Sequence, residues 1–263
     1  MRDLRVTLVQ SMLHWEDAAA NRAMFSEKLK PLADATDVIL LPEMFSTGFS
    51  MQSARLAEPM DGPTVTWMRE QARIANAALY GSVIITEGGR YFNRGLFVRP
   101  DGTITHYDKR HLFRMADELA HYTEGDRRVI VELHGWRILL QVCYDLRFPV
   151  FARNRSDYDL LLYVACWPEV RRYPWSQLLI ARAIENQSYV AGLNRVGMDG
   201  AGHHYSGDSV VLDPKGMPLL KATPSTEEAC TAVLSHQELL DFRAKFPAHL
   251  DADAFELRDV KRG

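Results

Sequence analysis

The sequence predicts an α/β protein with a mixed β-sheet, and two kinds of pattern support that fold class. Short runs rich in β-branched and aromatic residues recur along the chain, and several are separated by longer segments with an apolar residue every three or four positions. Turn signals at Pro100–Gly102 and Asp213–Gly216 separate adjacent strands and favour hairpins. The sheet is therefore expected to be mixed rather than purely parallel, within an α/β sandwich.

The elements follow in order along the chain. The segments expected to form strands are Leu4–Val9, Val38–Leu41, Tyr80–Thr86, Gly95–Arg99, Val129–Leu133, Arg137–Cys143, Leu160–Ala165, Tyr189–Asn194, Ser209–Leu212 and Cys230–Leu234. The segments with the apolar period of helices are Glu16–Leu32, Pro63–Ala78 and Trp175–Gln187. No repeat or Pro/Ser-rich linker interrupts this succession, so residues 1–263 are expected to form a single domain.

The end of the chain has a different character. From Phe246 to Gly263 the sequence becomes charged and loses its apolar period. This pattern indicates a C-terminal arm that is either frayed or packed on another subunit.

Composition excludes several classes of protein. Apolar residues make up 47% of the chain and charged residues 25%, as in an ordinary globular protein. The formal net charge of -3 provides no net attraction to nucleic acid or anionic lipid, so neither is an expected partner. No stretch approaches a membrane span, and the N-terminal residues lack a signal-peptide core. An odd set of three cysteines indicates free thiols in a reducing compartment, so a cytoplasmic location is expected.

The first candidate functional residue is Glu43, which follows the strand predicted at Val38–Leu41. Pro42 stops that strand, and the carboxylate is then presented beside apolar residues, at a position where strands deliver reactive groups. A helix cap or a surface ion pair is the commoner role for a glutamate after proline. The apolar neighbours argue against that alternative.

The second candidate is Lys109, which lies among aromatic and apolar neighbours in the segment Ile104–Phe113. A lysine in such surroundings could act as a fixed positive charge, although a solvated surface lysine is the commoner alternative. The nearby His106 and His111 do not have the spacing of metal ligands. Because no nucleotide-binding motif occurs either, no metal or other cofactor is expected.

The strongest signal is Cys143, which ends a buried strand and is followed by a polar turn and Pro149. Because proline suits the first turn of a helix, the thiol is expected at a strand-to-helix elbow. Backbone N–H groups and the helix dipole at such an elbow can favour a thiolate and a developing oxyanion. A buried structural cysteine is about as common, so the local pattern leaves both roles open.

Together, these three segments resemble the signature of the nitrilase, or carbon-nitrogen hydrolase, superfamily. That family has a glutamate at the end of the motif L-P-E, a lysine in Y-x-K-x-H-L-F and a cysteine in C-Y-D-x-R-F-P. All three motifs occur here in the family's order. The similarity runs from Val6 to about Leu234. It implies a four-layer αββα sandwich with two mixed β-sheets and a catalytic triad of Glu43, Lys109 and Cys143.

Longer stretches are most similar to the bacterial omega-amidase branch, namely KRHLFRMADE, WPEVRR and ARAIENQSYVAGLNRVG. Members of that branch hydrolyse the terminal amide of small 2-oxo acid amides such as 2-oxoglutaramate. The resemblance implies a thioester on Cys143, with Glu43 as acid and base. It also implies that Lys109 and the backbone N–H of Tyr144 stabilise the oxyanion. Family members commonly pair, so a homodimer is implied as well.

The same resemblance implies further site residues. Glu118 corresponds to a second glutamate that orients the lysine and the substrate nitrogen in relatives. Arg147 matches a position that binds carboxylate in related carbamoylases, whereas a salt bridge to Asp145 or to a distant acid is an open alternative. Apart from the resemblance, the aromatic residues beside strand ends are expected to line the pocket, although packing in the core is the commoner role of such residues. They are Phe45, Phe113, Tyr144 and Trp167.

Two residues depart from the family's pattern. Cys166 stands where the family usually has Asn, and Leu119 stands where a His is common. Both can change the pocket without altering the triad. Cys166 lacks the polar elbow that follows Cys143, so it is expected to line the pocket or to be structural.

Other functions stay open from the sequence. A nitrilase, a carbamoylase or an amidase for another small amide would use the same triad, and a catalytically inactive binding protein could keep the same fold. A thiol redox enzyme has less support, because the chain contains no C-x-x-C pair.

Overall fold

The computed structural model describes residues 2–257 of the chain. The strands are β1 (Leu4–Gln10), β2 (Val38–Leu40), β3 (Ala78–Glu87), β4 (Arg90–Val98), β5 (Ile104–Asp108), β6 (Ile130–Leu133), β7 (Trp136–Val142), β8 (Leu160–Ala165), β9 (Tyr189–Asn194), β10 (Val196–Met198), β11 (His204–Ser206), β12 (Val210–Leu212), β13 (Pro218–Lys221) and β14 (Glu228–Leu234). The α-helices are α1 (Ala18–Leu29), α2 (Ser53–Leu56), α3 (Pro63–Ala75), α4 (Glu118–His121), α5 (Pro149–Ala152), α6 (Arg172–Asn186) and α7 (His236–Lys245). Short 3₁₀ helices span Lys30–Leu32, Arg114–Ala116, Cys143–Arg147, Glu169–Arg171 and Ala248–Asp251.

Most of the strands form two mixed six-stranded sheets. The order is β14-β1-β2-β3-β4-β5 in the first sheet and β13-β12-β9-β8-β7-β6 in the second. The strands β1, β2 and β3 run parallel, as do β7, β8 and β9, and the outer strands pair with them antiparallel. The mixed character expected from the turn signals is therefore confirmed. The strands β10 and β11 form a separate ribbon.

The two sheets pack face to face, and helices cover their outer faces. Leu8 and Leu40 of the first sheet share one core with Leu140 and Leu162 of the second. The helices α1 and α3 cover the other face of the first sheet, and α6 packs on β9 and β12 of the second. This arrangement is the four-layer αββα sandwich that the sequence resemblance implies.

The pleat of the central strands explains their unbroken apolar runs. In β2, Val38 and Leu40 point into the core between the sheets, whereas Ile39 belongs to the core beneath α1 and α3. Because both faces of this strand are covered, apolar residues are required at every position.

Within residues 2–257, none of the helices is long and apolar enough to cross a membrane.

Tight turns join the antiparallel strands. Gly88 and Gly89 close the hairpin between β3 and β4 with φ angles of +57° and +72°, which glycine adopts without steric cost. The hairpins expected at Pro100–Gly102 and Asp213–Gly216 join β4 to β5 and β12 to β13. Both turn predictions are confirmed.

Some elements differ from the sequence expectations. The helix expected at Glu16–Leu32 is shorter: α1 ends at Leu29, and a 3₁₀ turn containing Pro31 follows, because proline lacks the N–H needed to continue an α-helix. The helix expected at Pro63–Ala78 ends at Ala75, since Asn76 has a left-handed backbone. The strands β5, β10, β11 and β13 and the helices α2, α4 and α7 are not among the predicted elements.

The segment predicted as a C-terminal arm begins directly after α7. The side-chain amide of Gln187 donates to the carbonyl oxygen of Phe246 at 2.7 Å, and it accepts the backbone N–H of His249 at 3.0 Å. The guanidinium of Arg155 lies 4.7 Å from the ring centre of Phe255. The described part of this segment therefore contacts its own chain. Residues 258–263 of the predicted arm lie outside the described residues.

Candidate active site

Cys143 follows β7 directly and begins a short 3₁₀ helix that ends at Arg147. Its φ angle is +46°, in the left-handed region that residues with a side chain rarely adopt. The chain leaves the strand direction at this residue, and Cys143 lines a cavity of about 440 Å³. Pro149 begins the next helix, α5. The thiol therefore lies at a strand-to-helix elbow, although it belongs to the turn and not to the strand.

Asp145 fixes this elbow to the segment that carries Lys109. Its Oδ2 atom accepts the backbone N–H of Val142 at 3.0 Å and the hydroxyl of Tyr107 at 2.8 Å. Its Oδ1 atom accepts the backbone N–H of His111 at 2.9 Å and lies 2.7 Å from the Nδ1 atom of the same residue. Residues on both sides of Lys109 thus bind one buried carboxylate, which fixes the lysine relative to the elbow.

The charged residues predicted for the site meet in one buried cluster. The Nζ atom of Lys109 lies 2.8 Å from Oε1 of Glu43, and 3.0 and 2.9 Å from the two carboxylate oxygens of Glu118. The side chain of Lys109 is 1% exposed, and those of both glutamates are fully buried. One ammonium group therefore lies between two carboxylates that have no access to water, and its single positive charge balances only one of their two negative charges.

Burial and charge set the protonation of this cluster. Burial alone would lower the pKa of Lys109, but the carboxylates of Glu118 and Glu43 outweigh it and hold that pKa well above its ordinary value. Burial raises the pKa of Glu118, against the opposing effect of Lys109. Burial also raises the pKa of the Cys143 thiol, and the charge of Glu43 raises it further. Cys143 therefore rests as a neutral thiol and needs a base to become a nucleophile.

Asn93 is a site residue that the sequence patterns do not identify. Its side-chain Nδ2 atom donates to Glu43 at 2.8 Å and to Glu118 at 3.2 Å. Its backbone carbonyl oxygen accepts the backbone N–H of Lys109 at 3.0 Å. It therefore contacts every member of the charged cluster. The sequence gives little signal for it, because Asn93 lies outside the predicted strand Gly95–Arg99 and is followed by the charged Arg94.

The cavity beside the thiol brings together most of the predicted binding residues. Phe113, Tyr144, Arg147 and Trp167 all line it. Phe49, which the sequence does not single out, lines it too, with its ring centre 5.1 Å from the Nζ atom of Lys109.

Phe45 lies elsewhere, which corrects the expectation that it lines the pocket. Its ring packs against Phe25 of α1 and Trp67 of α3, with both ring centres 5.6 Å away. The backbone of Met44 is left-handed, with a φ of +43°, so the chain turns directly after Glu43. Phe45 consequently belongs to the core beneath the outer helices.

Arg147 presents its guanidinium to the cavity. Its central carbon lies 4.9 Å from the ring centre of Trp167, in a cation–π contact. Asp145 is occupied by Tyr107, His111 and Val142, and within residues 2–257 Arg147 forms no ion pair. The salt bridge considered as an alternative is therefore not found in this part of the chain.

The two departures from the family's pattern lie close to the cluster. Cys166 lines the cavity, and its carbonyl oxygen lies 3.9 Å from the Sγ atom of Cys143. Burial raises the pKa of the Cys166 thiol. Leu119 packs on a small core that includes Met44 and Tyr122.

Among the described residues, no group of three or more His, Cys, Asp or Glu side chains is placed to hold a metal ion.

The αββα fold with a buried thiol facing a cavity defines a cysteine-dependent amidohydrolase. The chain belongs to the carbon-nitrogen hydrolase family, which matches residues 5–243. The superfamily resemblance found in the sequence is thereby confirmed.

Similar proteins agree with this assignment and with the predicted branch. The chain is 51% identical to omega-amidase YafV of Escherichia coli over 257 residues, which cover 98% of this chain and 100% of that protein. It is 32% identical to 2-oxoglutaramate amidase of Bacillus subtilis over 221 residues, covering 82% of this chain and 84% of that protein.

Solved structures have the same fold. A CN-hydrolase superfamily protein from Xanthomonas campestris, with an arsenic adduct in its active site, has a TM-score of 0.96 and 49% identity, covering 98% of this chain and 100% of that one. An amidase from Nesterenkonia sp., with acrylamide added at its active-site cysteine, has a TM-score of 0.82 and 25% identity, covering 94% of this chain and 99% of that one.

Proposed function

We propose that the protein hydrolyses the terminal amide of a small 2-oxo acid amide, of the 2-oxoglutaramate or 2-oxosuccinamate type, to the carboxylic acid and ammonia. The observation that carries this proposal is that Arg147, a cation without an ion pair among the described residues, lines the same cavity as the Cys143 thiol. A substrate with a free carboxylate at one end and an amide at the other matches that pair. The similarity to proteins named omega-amidase and 2-oxoglutaramate amidase supports it.

The first half of the reaction forms a thioester. Glu43 takes the proton of the Cys143 thiol as the sulfur attacks the amide carbon, and the carbonyl oxygen becomes an oxyanion. The ammonium of Lys109 and the backbone N–H of Tyr144 stabilise that oxyanion. Glu43 then gives its proton to the amide nitrogen, the C–N bond breaks, and ammonia leaves.

The second half releases the product. Glu43, again a carboxylate, takes a proton from water as the water oxygen attacks the thioester carbon. The C–S bond breaks, and the proton held by Glu43 returns to the sulfur of Cys143. The dicarboxylate product then leaves with the thiol restored.

Glu118 acts through Lys109. Two of the contacts to the lysine Nζ atom come from its carboxylate, which also accepts the backbone N–H of Phe113 at 2.5 Å. Its charge helps to keep the pKa of Lys109 high, so the lysine remains an ammonium group throughout the cycle. We therefore assign Glu118 a positioning role.

Ammonia release tests the reaction. The native chain and the variant Cys143→Ala are compared on 2-oxoglutaramate, 2-oxosuccinamate, glutamine and a simple nitrile. Release from the two oxo-acid amides that depends on Cys143 is the expected result. Activity on glutamine or the nitrile alone would contradict the proposed substrate, and a thiol at Cys143 that does not react with iodoacetamide would favour an inactive binding protein.

Arg147 has its own test. The variant Arg147→Ala is expected to raise KM for an acidic amide by about tenfold more than for an uncharged one, because a charged hydrogen bond to the substrate is lost. An equal effect on both amides would remove Arg147 from substrate binding.

We also propose that the protein is a cytoplasmic homodimer. Large apolar side chains are exposed on the helices outside the second sheet, with Val150 55%, Tyr173 74% and Ile184 52% exposed, which suits a subunit interface. All three cysteines are free thiols, which suits a reducing compartment. Sedimentation should give twice the chain mass of 29.9 kDa, and a single species at 29.9 kDa would contradict the dimer.

A further inference from the structure

A second arginine, Arg171, lines the same cavity, and no step of the proposed reaction uses it. Its guanidinium carbon lies 5.4 Å from the ring centre of Phe113, and its Nη2 atom lies 3.8 Å from the sulfur of Met115. In the described part of the chain, its side chain has no carboxylate partner. Arg171 and Arg147 therefore have the same kind of environment: each guanidinium stacks on an aromatic ring of the cavity wall.

Trp167 holds both arginines in place. Its ring contacts the guanidinium of Arg147, and its indole N–H donates to the backbone carbonyl oxygen of Arg171 at 2.8 Å. Trp167 is itself fixed by Asn194, whose side-chain amide accepts its backbone N–H at 2.8 Å and donates to its carbonyl oxygen at 2.9 Å. The backbone of Arg171 is therefore anchored to the residue that supports Arg147.

The acidic residues that line the cavity do not neutralise these arginines. Glu16 accepts the hydroxyl of Ser50 at 2.6 Å and pairs with Arg55. Asp199 accepts the hydroxyl of Tyr205 at 2.7 Å and also binds nearby backbone N–H groups. The positive charge of both guanidinium groups is thus left for a ligand.

We propose that Arg171 is a second substrate-binding residue, which with Arg147 holds the 2-oxo carboxylate end of the substrate. A carboxylate and its neighbouring 2-oxo group offer three oxygen acceptors close together, and two planar guanidinium groups offer enough donors for all three. Arg147 and Arg171 together favour the binding of amides with a 2-oxo carboxylate over amides with a simple carboxylate or with no carboxylate. This assignment rests on the proposed function and names which end of the substrate each group recognises.

Three substrates of equal chain length separate the contributions: 2-oxoglutaramate, glutaramate without the 2-oxo group, and pentanamide with neither acidic nor 2-oxo group. In Arg171→Met, KM for 2-oxoglutaramate should rise about tenfold more than KM for pentanamide, because charged hydrogen bonds are lost. The rise for glutaramate should be smaller than for 2-oxoglutaramate. In Arg171→Lys, part of the selectivity should return, since the charge remains but the planar fork is lost.

Arg172→Met is the matched control. Arg172 is the next residue in the chain, binds Asp208 at 2.6 Å and does not line the cavity, so its loss should leave the KM ratios unchanged. Arg171→Met must show native circular dichroism. KM values that change equally for all three substrates, or that do not change, would overturn the assignment of Arg171.

A binding measurement separates this inference from the proposed reaction. Calorimetry with 2-oxoglutaramate is made on Cys143→Ala, which cannot form the thioester, with and without Arg171→Met. A roughly tenfold weaker Kd in the double variant supports the role of Arg171, even if the native chain fails to release ammonia from this amide. An unchanged Kd, or no binding to Cys143→Ala, overturns it.

Discussion

The backbone N–H of Cys166 donates to Oε2 of Glu43 at 2.9 Å, and the Cys166 thiol donates to the carbonyl oxygen of Glu43 at 3.2 Å. Glu43 follows β2 of the first sheet, whereas Cys166 follows β8 of the second. The proposed base of the reaction is therefore oriented across the sandwich, and its other oxygen remains available to Lys109 and Asn93.

Substitution of Cys166 tests the contact made by its thiol. Cys166→Val removes the donor to the buried carbonyl of Glu43 and should lower the free energy of unfolding by about 1 to 3 kcal/mol. Cys166→Ser keeps a donor and should unfold close to the native chain. Urea denaturation of both variants measures the difference, and equal stability of the two would show that the thiol contact contributes nothing.

Glu43→Gln should separate two properties of Cys143. The charge of Glu43 raises the pKa of the thiol, so its removal lowers that pKa and increases the thiolate fraction at about pH 8. Alkylation by iodoacetamide should therefore become faster, while amide hydrolysis falls by about 10² to 10⁴ because the general base is lost. Alkylation that does not become faster would show that the charge of Glu43 does not raise the pKa of the thiol, and unchanged hydrolysis would exclude Glu43 as the general base.

Lys109→Met should fold but lose hydrolysis, because the ammonium that stabilises the oxyanion is absent. It also leaves Glu43 and Glu118 buried without their cation, which should cost about 3 to 5 kcal/mol of stability. The double variant Lys109→Met with Glu118→Gln removes one of those charges and should recover part of the stability but no activity. Thermal unfolding and ammonia release measure the two effects, and near-normal turnover in Lys109→Met would exclude the lysine from the mechanism.

Asn93→Leu should lower kcat more than it raises KM. The substitution keeps a similar size but removes the amide that donates to Glu43 and Glu118, so the carboxylates lose their fixed orientation. A fall in kcat of about tenfold corresponds to one lost hydrogen bond of this kind. Steady-state kinetics on 2-oxoglutaramate provide the measurement, and a change confined to KM would contradict a role in orienting the base.

Part of the candidate site can be predicted from short stretches of the sequence, and part depends on how distant strands pair. Glu43 and Cys143 each follow a buried strand, so the sequence places them at strand ends, and the superfamily resemblance links them to Lys109. Asn93 was not predicted because its role arises from the pairing of β4 with its neighbours, where its carbonyl oxygen meets the N–H of Lys109. A single sequence does not contain that register.

The errors have a similar origin. Phe45 was expected to line the pocket because it lies beside the end of a predicted strand, but the left-handed backbone of Met44 turns its ring towards α1 and α3. The strand β13 was not predicted, since its residues are mostly exposed and lack a buried apolar face. The strand β8 is buried at every position, and its continuous apolar run was predicted with the bounds that the structure has.

The left-handed backbone of Cys143 implies that thermal stability and catalysis place opposite demands on this position. A residue with a side chain in this conformation costs about 1 to 3 kcal/mol, and glycine would avoid that cost. A chain with Cys143→Gly should therefore resist heat better than the working enzyme while being unable to form a thioester. Selection for thermostability alone would then favour loss of the nucleophile, so any search for a more robust enzyme has to retain turnover as a second criterion.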